Sequence, residues 1–314
     1  MKKKGLIIIF AFLIPLFGIG QEDMIISHSR FMQKVNPSAF GINNINKTGV
    51  LYNSQALINN NRIESQYFFG AISFDSDNFS LGLDVYSLNM DNTGLVNTKP
   101  RLSYIYKIQF DNEVYFLPSL ALGLGSSRID TGKLIFEDQI SLVSGFLQTQ
   151  SQDPIVDQIG SSNYMDLGAS FIVHSNNYLF GVSIQHLNQP NISFNKEVTD
   201  YTLPIRYSIQ GGYEFDINPY DRSIMPRYST IYAFMNASRM GENFDIYLSQ
   251  EAQLGSFSIG LNQQFRKTNN FGFTNIGLSV ALAYENFEFG TLYNFPFRSP
   301  TNTAVYSPST IEVF

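Results

Sequence analysis

Apolar residues recur at every second position along most of the chain, separated by small or polar ones. In NFSLGLDVYSLNM, residues 78–90, Phe79, Leu81, Leu83 and Val85 share one parity, while Ser80, Gly82, Asp84 and Ser87 interrupt them. A strand sends successive side chains to opposite faces, so this stretch has one oily face and one small or polar face. The same alternation sets Leu102, Tyr104, Tyr106, Ile108 and Phe110 against Arg101, Ser103, Lys107 and Gln109. It sets Met165, Leu167, Ala169, Phe171 and Val173 against Asp166, Gly168 and Ser170, and Tyr178, Phe180, Val182 and Ile184 against Gly181, Ser183 and Gln185. Near the end, Ile276, Leu278, Val280, Leu282 and Tyr284 oppose Gly277, Ser279 and Ala281. No comparable stretch repeats at helical spacing, so the chain after its first residues reads as nearly all strand.

Segmenting by length and alternation predicts about 14 strands, beginning near residues 47, 66, 79, 100, 114, 164, 177, 203, 228, 244, 256, 272, 286 and 304. Short turn-forming sequences join every other pair: SDN near 77, DNE at 111–113, SNN at 175–177, LGS at 254–256 and EN at 285–286. The intervening links read as longer: ALINNNRIES, NMDNTGLVNT, the stretch 128–163 and HLNQPNISFNKEVTD. Tight turns at one end and long loops at the other are expected of an outer-membrane barrel, with the turns periplasmic. INPYDRSIMP is long yet falls on the short side. A soluble sandwich has no reason to segregate its loops this way. It would also bury the oily face and put charges on the other, whereas here the second face is rich in Gly, Ser, Asn and Gln. The dry side is lipid. The expected fold is an all-β transmembrane antiparallel β-barrel, residues 46–314, preceded by a short N-terminal periplasmic segment, residues 21–45. In that segment Met24, Ile25, Phe31 and Met32 suit one face of a short helix ended by Asn36-Pro37, which would cap or enter the barrel or lie along its rim.

Composition agrees with this placement. Charged residues make up 15% of the 314, against roughly 25% in soluble domains. Mean hydropathy is nonetheless only −0.07, as expected when polar lumen positions dilute lipid-facing ones. The 28 Phe and 18 Tyr can furnish aromatic girdles without any Trp. The start, MKKKGLIIIFAFLIPLFGIG, reads as a secretory signal peptide over residues 1–20, its apolar run too short to span a bilayer as a helix. Its removal takes away three lysines and no acid, so the net charge of −6 becomes −9. An acidic mature chain argues against nucleic-acid partners. With no Cys, stability outside the cytoplasm cannot come from disulfides, and a closed hydrogen-bonded sheet can supply it.

Catalytic chemistry finds little support. His28, His174 and His186 are far apart and lack ligand spacing, and no nucleophile, metalloprotease or phosphate-loop motif is present. No enzyme activity, cofactor or metal is expected. DSDN at 75–78 and NMDN at 89–92 read as turn chemistry rather than calcium loops. Asp84, Lys107, Asp166, Glu214, Asp245, Glu251 and Arg266 fall on the inward parity, because an ionisable group facing lipid near the midplane costs about 2–4 kcal/mol. They read as paired lumen charges, or alternatively as a selectivity lining.

Four stretches carry a resemblance. FMQKVNPSAFG looks like the opening "NPAxAG" block of the PorP/SprF family, outer-membrane proteins associated with the type IX secretion system of the Bacteroidetes, through Asn36, Pro37 and Gly41. LYNSQA resembles its "YRxQW" segment, with Tyr52 and Gln55 in place, Asn53 for Arg and Ala56 for Trp. NYMDLGASFIVHSNNYLFGVSIQHLNQP is similar to its "pDxGxGlyxysxxfyxGlSvxHL" hairpin through Asp166, Gly168 and His186 and is the most specific match. PIRYSIQGGYEFDI with IMPR resembles "rHYxlxxGYxf…lxPs". STIEVF is similar to the beginning of the family's closing strand, with an aromatic Phe314 as in barrel-assembly signals. Thr310 and Glu312 take the alternate positions where such a signal is normally apolar.

The resemblance implies a non-catalytic accessory role in the outer membrane, needed for secretion and surface anchoring of a partner such as a gliding adhesin. The partners it implies are outer-membrane lipid, the C-terminal sorting domain of the cargo and the secretion machinery. The eight motif residues are then structural. The first candidate for the cargo-contacting face is 128–163, and the second is 187–203. The competing reading is a passive porin or hydrophobic-solute channel, which shares the barrel and differs in what fills the lumen.

Overall fold

The computed structural model describes residues 25–314 apart from 45, 57–61, 75, 77, 92, 112, 136, 141–150, 152–160, 197–198, 221–224, 268–270 and 298–308. The expected signal peptide, Met24 and most of the 128–163 link lie outside the described residues. Fifteen strands are present among them. The first seven are β1 (Lys47–Ala56), β2 (Arg62–Phe74), β3 (Phe79–Met90), β4 (Leu95–Tyr106), β5 (Ile108–Asp111), β6 (Val114–Ile129) and β7 (Ser161–His174). They are followed by β8 (Tyr178–Gln185), β9 (Arg206–Asp216), β10 (Thr230–Met240) and β11 (Asn243–Leu254). The last four are β12 (Phe257–Lys267), β13 (Phe271–Tyr284), β14 (Phe287–Pro296) and β15 (Ser309–Val313).

Each strand pairs antiparallel with its sequence neighbour. β4 and β5 form one stave interrupted at Lys107, and both lie against β6. β15 pairs with β14 and also with β1, where Asn53 faces Glu312, so the sheet closes into a 14-strand barrel. Closure pairs the first strand with the last over Tyr52–Ala56, removing the open edges that a bilayer interior does not tolerate. The predicted strands are all found. The largest displacements are a start at Leu95 against the expected 100 and at Ser309 against 304.

The outer wall carries the oily parity. Leu83, Leu102, Leu120, Ile72 and Leu278 are exposed on it, while Ser80, Asp84, Ser103 and Ser119 on the other parity are buried. Phe74, Phe79 and Tyr104 stack in a row at the short-turn end. Phe265, Phe271, Phe273 and Phe297 cluster at the opposite end. These are the girdles that Phe and Tyr form without Trp.

One expectation needs correction. The alternation of link lengths is weaker than the sequence implies, because ladders continue past the polar strand ends: Asn89 still pairs with Val96, and Met90 with Leu95. NMDNTGLVNT is thereby largely absorbed into strands. ALINNNRIES gives Ala56 to β1 and Arg62–Ser65 to β2, with 57–61 outside the described residues. A two-residue hairpin of Gly241 and Glu242 joins β10 to β11 at the supposedly long end. Lys107 keeps the inward parity of Ser103 and Ile105 and sits at the short-turn end of the lumen, its ammonium 4.4 Å from the Tyr115 ring centroid.

The N-terminal segment is inside the barrel. Its helix, α1 (Met32–Val35), is only four residues long, because Asn36 caps it and Pro37 opens a tighter turn over Pro37–Asn44. Ile25, Phe31, Ala39 and Phe40 are all buried in one cluster with inward residues of the wall.

Candidate functional site

The lumen has two unlike sectors, and the N-terminal plug matches both. Strands β1 to β4, β6 and β7 turn apolar side chains inward, including Leu51, Tyr67, Phe69, Tyr86, Ile105 and Leu117. Phe31 meets Tyr67 and Phe69 edge-on at 6.2 and 6.0 Å between ring centroids. Phe40 lies directly over Gly82 of β3, where a Cβ would come within 2.2 Å of the ring. Strands β9 to β14 instead present Gln210, Asn236, Ser249, Asn262 and Gln264. His28 stacks on Tyr247 at 3.9 Å and exchanges a hydrogen bond with the Asn236 amide at 2.9 Å. Ser29 meets Ser249 at 3.2 Å. Arg30 bonds Ser258 at 2.7 Å and pairs with Glu251 and Glu288. A short segment with an apolar side and a polar side thus fills a tube divided the same way.

The seam between the first and last strands is tied to the plug. Glu312 of β15 is fully buried. Its carboxylate accepts the backbone N–H groups of Ile26 at 2.6 Å and Ser27 at 3.0 Å, the Ser27 hydroxyl, and the Asn53 amide of β1 at 2.8 Å. The parity expected of the closing strand is therefore corrected: Thr310 and Glu312 point inward, and Ile311 and Val313 form its oily outer face. Phe314 packs on plug Phe31 at 5.6 Å, beneath the Arg30 guanidinium at 5.0 Å.

The motif residues divide into those that meet and one that does not. Asn36, fully buried, donates from its amide to Gln210 Oε1 at 2.8 Å and to the Phe171 and Val182 carbonyls. The side-chain Oδ1 of Asn36 receives the Ser38 N–H at 3.1 Å, and Pro37 starts the buried turn behind it. Ser38 then reaches Ser119 and Ser170 at 3.0 and 2.9 Å. Gly41 abuts Ile105, 2.9 Å from where a Cβ would stand. Asp166 and His186, twenty positions apart, join at 2.9 Å above the plug, and Gly168 packs tightly beneath the Ile184 carbonyl. His186, just past β8, holds φ at +60° to make this contact. Burial pushes its imidazole toward the neutral form, while Asp166 pulls the other way. Gln55 is buried and faces the lumen. Tyr52 stands apart, on the outer wall, its hydroxyl donating to Glu64 at 2.8 Å.

Five of the expected inward charges are paired. Arg101 binds both oxygens of Asp84 at 2.9 Å, Arg266 binds Asp245 at 2.6 Å, and Glu251 and Asp166 take Arg30 and His186. Glu214 lines a vestibule of about 560 Å³ below the plug, with Arg30, Lys47 and Glu251. Sequence reasoning missed the plug's anchors. The signal was present: Tyr86 and Leu88 break the small-polar parity of β3, and Leu51, Ile105 and Leu117 do the same in their strands.

No match was found among curated proteins. Among solved structures, a mutant TodX monoaromatic hydrocarbon channel is 10% identical over 85% of this chain and 86% of its own, with a TM-score of 0.45. A mutant ferric enterobactin receptor, PfeA from Pseudomonas aeruginosa, is 8% identical over 81% of this chain and 44% of its own, at 0.37. A triple mutant of the porin from Rhodopseudomonas blastica is 6% identical over 85% and 96%, at 0.35. The family model described as type IX secretion system membrane protein PorP/SprF matches residues 22–314, which takes in the plug, the motif hairpin and the whole barrel. The chain belongs to the PorP/SprF family of type IX secretion system proteins and is a β-barrel of the outer membrane.

Proposed function

We propose that this barrel is a non-catalytic scaffold of the type IX system that holds a secreted partner at the cell surface through the partner's C-terminal sorting domain. The observation that carries the reading is the filled lumen. Phe31, Phe40 and Asn36 stand where a solute path would run, so the barrel's use lies in what its ends present. At the long-loop end, the link after β8 is a braced structure. Asn191 bridges to Thr202, Asn191 bonds Asp200 at 2.8 Å, and the Ser193 hydroxyl receives the Tyr201 N–H at 2.8 Å. It exposes Leu187 and Tyr201, an aliphatic and an aromatic anchor on a rigid frame. In this reading residues 1–20 are the export signal, 21–45 the plug and its lead, and 46–314 the barrel. The motif residues Asn36, Pro37, Gly41, Gln55, Asp166, Gly168 and His186 set plug and hairpin, while Tyr52 belongs to the outer wall. Gliding adhesins are one class of cargo that fits.

The test is affinity purification from detergent-solubilised outer membranes, wild type against Tyr201→Ala with Leu187→Ala. One large secreted chain should co-purify with the wild type and fall by about tenfold or more in the double variant, as expected for loss of two interface anchors. Recovery of no secreted partner, together with steady ion conductance of the purified barrel in planar bilayers, would select the channel reading.

A further inference from the structure

Above the plug, on the side away from the periplasmic vestibule, lies a second and smaller space. It draws lining groups from α1 and from β3, β4, β6, β7, the end of β8 and β9. We propose that it is a binding site for a small phosphate-type oxyanion, which nothing in the family assignment or the cargo reading requires.

Charge is the first argument. The chain as a whole is acidic, yet Lys34, Lys99, Arg101 and Arg206 all line this space against two carboxylates, Asp84 and Asp166. Lysines and arginines set against aspartates give the lining an excess of two positive charges. Lys99 lies within electrostatic reach of Arg101 and Arg206 as well as Asp166, so like charges are gathered rather than dispersed. Such a cluster in a poorly solvated space repels itself, and a bound dianion offsets that repulsion. Arg101 is already engaged, bound to Asp84 at 2.9 Å and to the Gln33 carbonyl at 2.8 Å, which fixes the floor of the pocket.

Asp166 supplies the selectivity. Its Oδ2 meets His186 at 2.9 Å, whereas Oδ1 is buried and accepts no hydrogen bond among the described residues. A carboxylate oxygen beside a cationic cluster suits an anion that still bears a proton. Phosphate at neutral pH keeps at least one P–OH, which can donate to Oδ1 while its other oxygens face Lys99 and Arg206. Sulfate has similar size and charge but no proton to donate. The space, about 40 Å³, is on the scale of one small ion.

Calorimetric titration of the full-length protein in detergent micelles, at neutral pH and matched ionic strength, tests this with inorganic phosphate, sulfate, glycerol 3-phosphate and chloride. Wild type should bind phosphate about tenfold or more tighter than sulfate, the worth of one charge-assisted hydrogen bond. Glycerol 3-phosphate should bind more weakly than the free ion. Asp166→Asn, whose amide donates to either anion, should close the gap between phosphate and sulfate. Lys99→Gln with Arg206→Gln should weaken phosphate by about tenfold or more, by the same arithmetic, and Lys133→Gln in the exposed loop should not. Heat-modifiable gel migration establishes that each variant is a folded barrel. The site is refuted if folded wild type shows no phosphate heat above chloride, if the double variant binds phosphate as well as wild type, or if Asp166→Asn keeps the discrimination. None of these results depends on whether a cargo is found.

Discussion

Glu312 is the residue on which the inner architecture turns. A fully buried carboxylate is costly unless donors surround it, and here four do, two of them from the plug's backbone. Replacing it with Ala leaves those donors buried without an acceptor, at about 1–3 kcal/mol each, partly offset by relief of the carboxylate's own desolvation. Glu312→Ala is therefore expected to lower the thermal transition of the folded barrel and to expose residues 25–44 to protease. Unchanged protease resistance would mean that the latch holds nothing. Gly82 gives a steric counterpart. A Cβ there stands 2.2 Å from the Phe40 ring, so Gly82→Val should displace Phe40 while leaving the β3 ladder intact. The expected readout is a rise in single-channel conductance at unchanged barrel content. The two residues differ in legibility. Gly82 reads in the sequence only as one more small residue on the lumen parity. Glu312 reads as a flaw in the closing strand, because its partner segment is 285 positions away.

Strands were legible because their signal is local. A period of two needs only five or six residues to declare itself, and the lipid face repeats it from Val50 to Val313. Link lengths were less so, since nothing in NMDNTGLVNT says that Asn89 and Val96 remain paired beyond the bilayer. The plug was the least legible element. Its helix is a single turn, and its apolar contacts answer to residues scattered over seven staves. Turn chemistry shows at one hairpin. The β10–β11 link holds Gly241 at φ +59°, the first position of a two-residue turn that asks for glycine. Gly241→Val forces a branched side chain into that region and should destabilise the barrel by about 1–3 kcal/mol. Urea unfolding in lipid vesicles measures it, and a midpoint equal to wild type would show that the hairpin is not held in this turn.

At the scale of the molecule, an outer wall that meets lipid encloses an inner wall that meets the protein's own N-terminus. Porins share the first property, and the second distinguishes a filled barrel from an open one. The plug is read through a chain of contacts from Glu312 and Asn53 at the seam, through His28 and Asn236, to Asn36 and Gln210 on the far side. The most direct test of its place uses Ser38 of the plug and Ser170 of β7, whose hydroxyl oxygens lie 2.9 Å apart inside the barrel. The chain has no cysteine, so Ser38→Cys with Ser170→Cys introduces one defined pair. Oxidation in intact cells should link residues 38 and 170 within one chain, seen by mass spectrometry of the proteolysed barrel. Two free thiols that each react with a water-soluble maleimide, and no link between them, would put the segment outside the lumen.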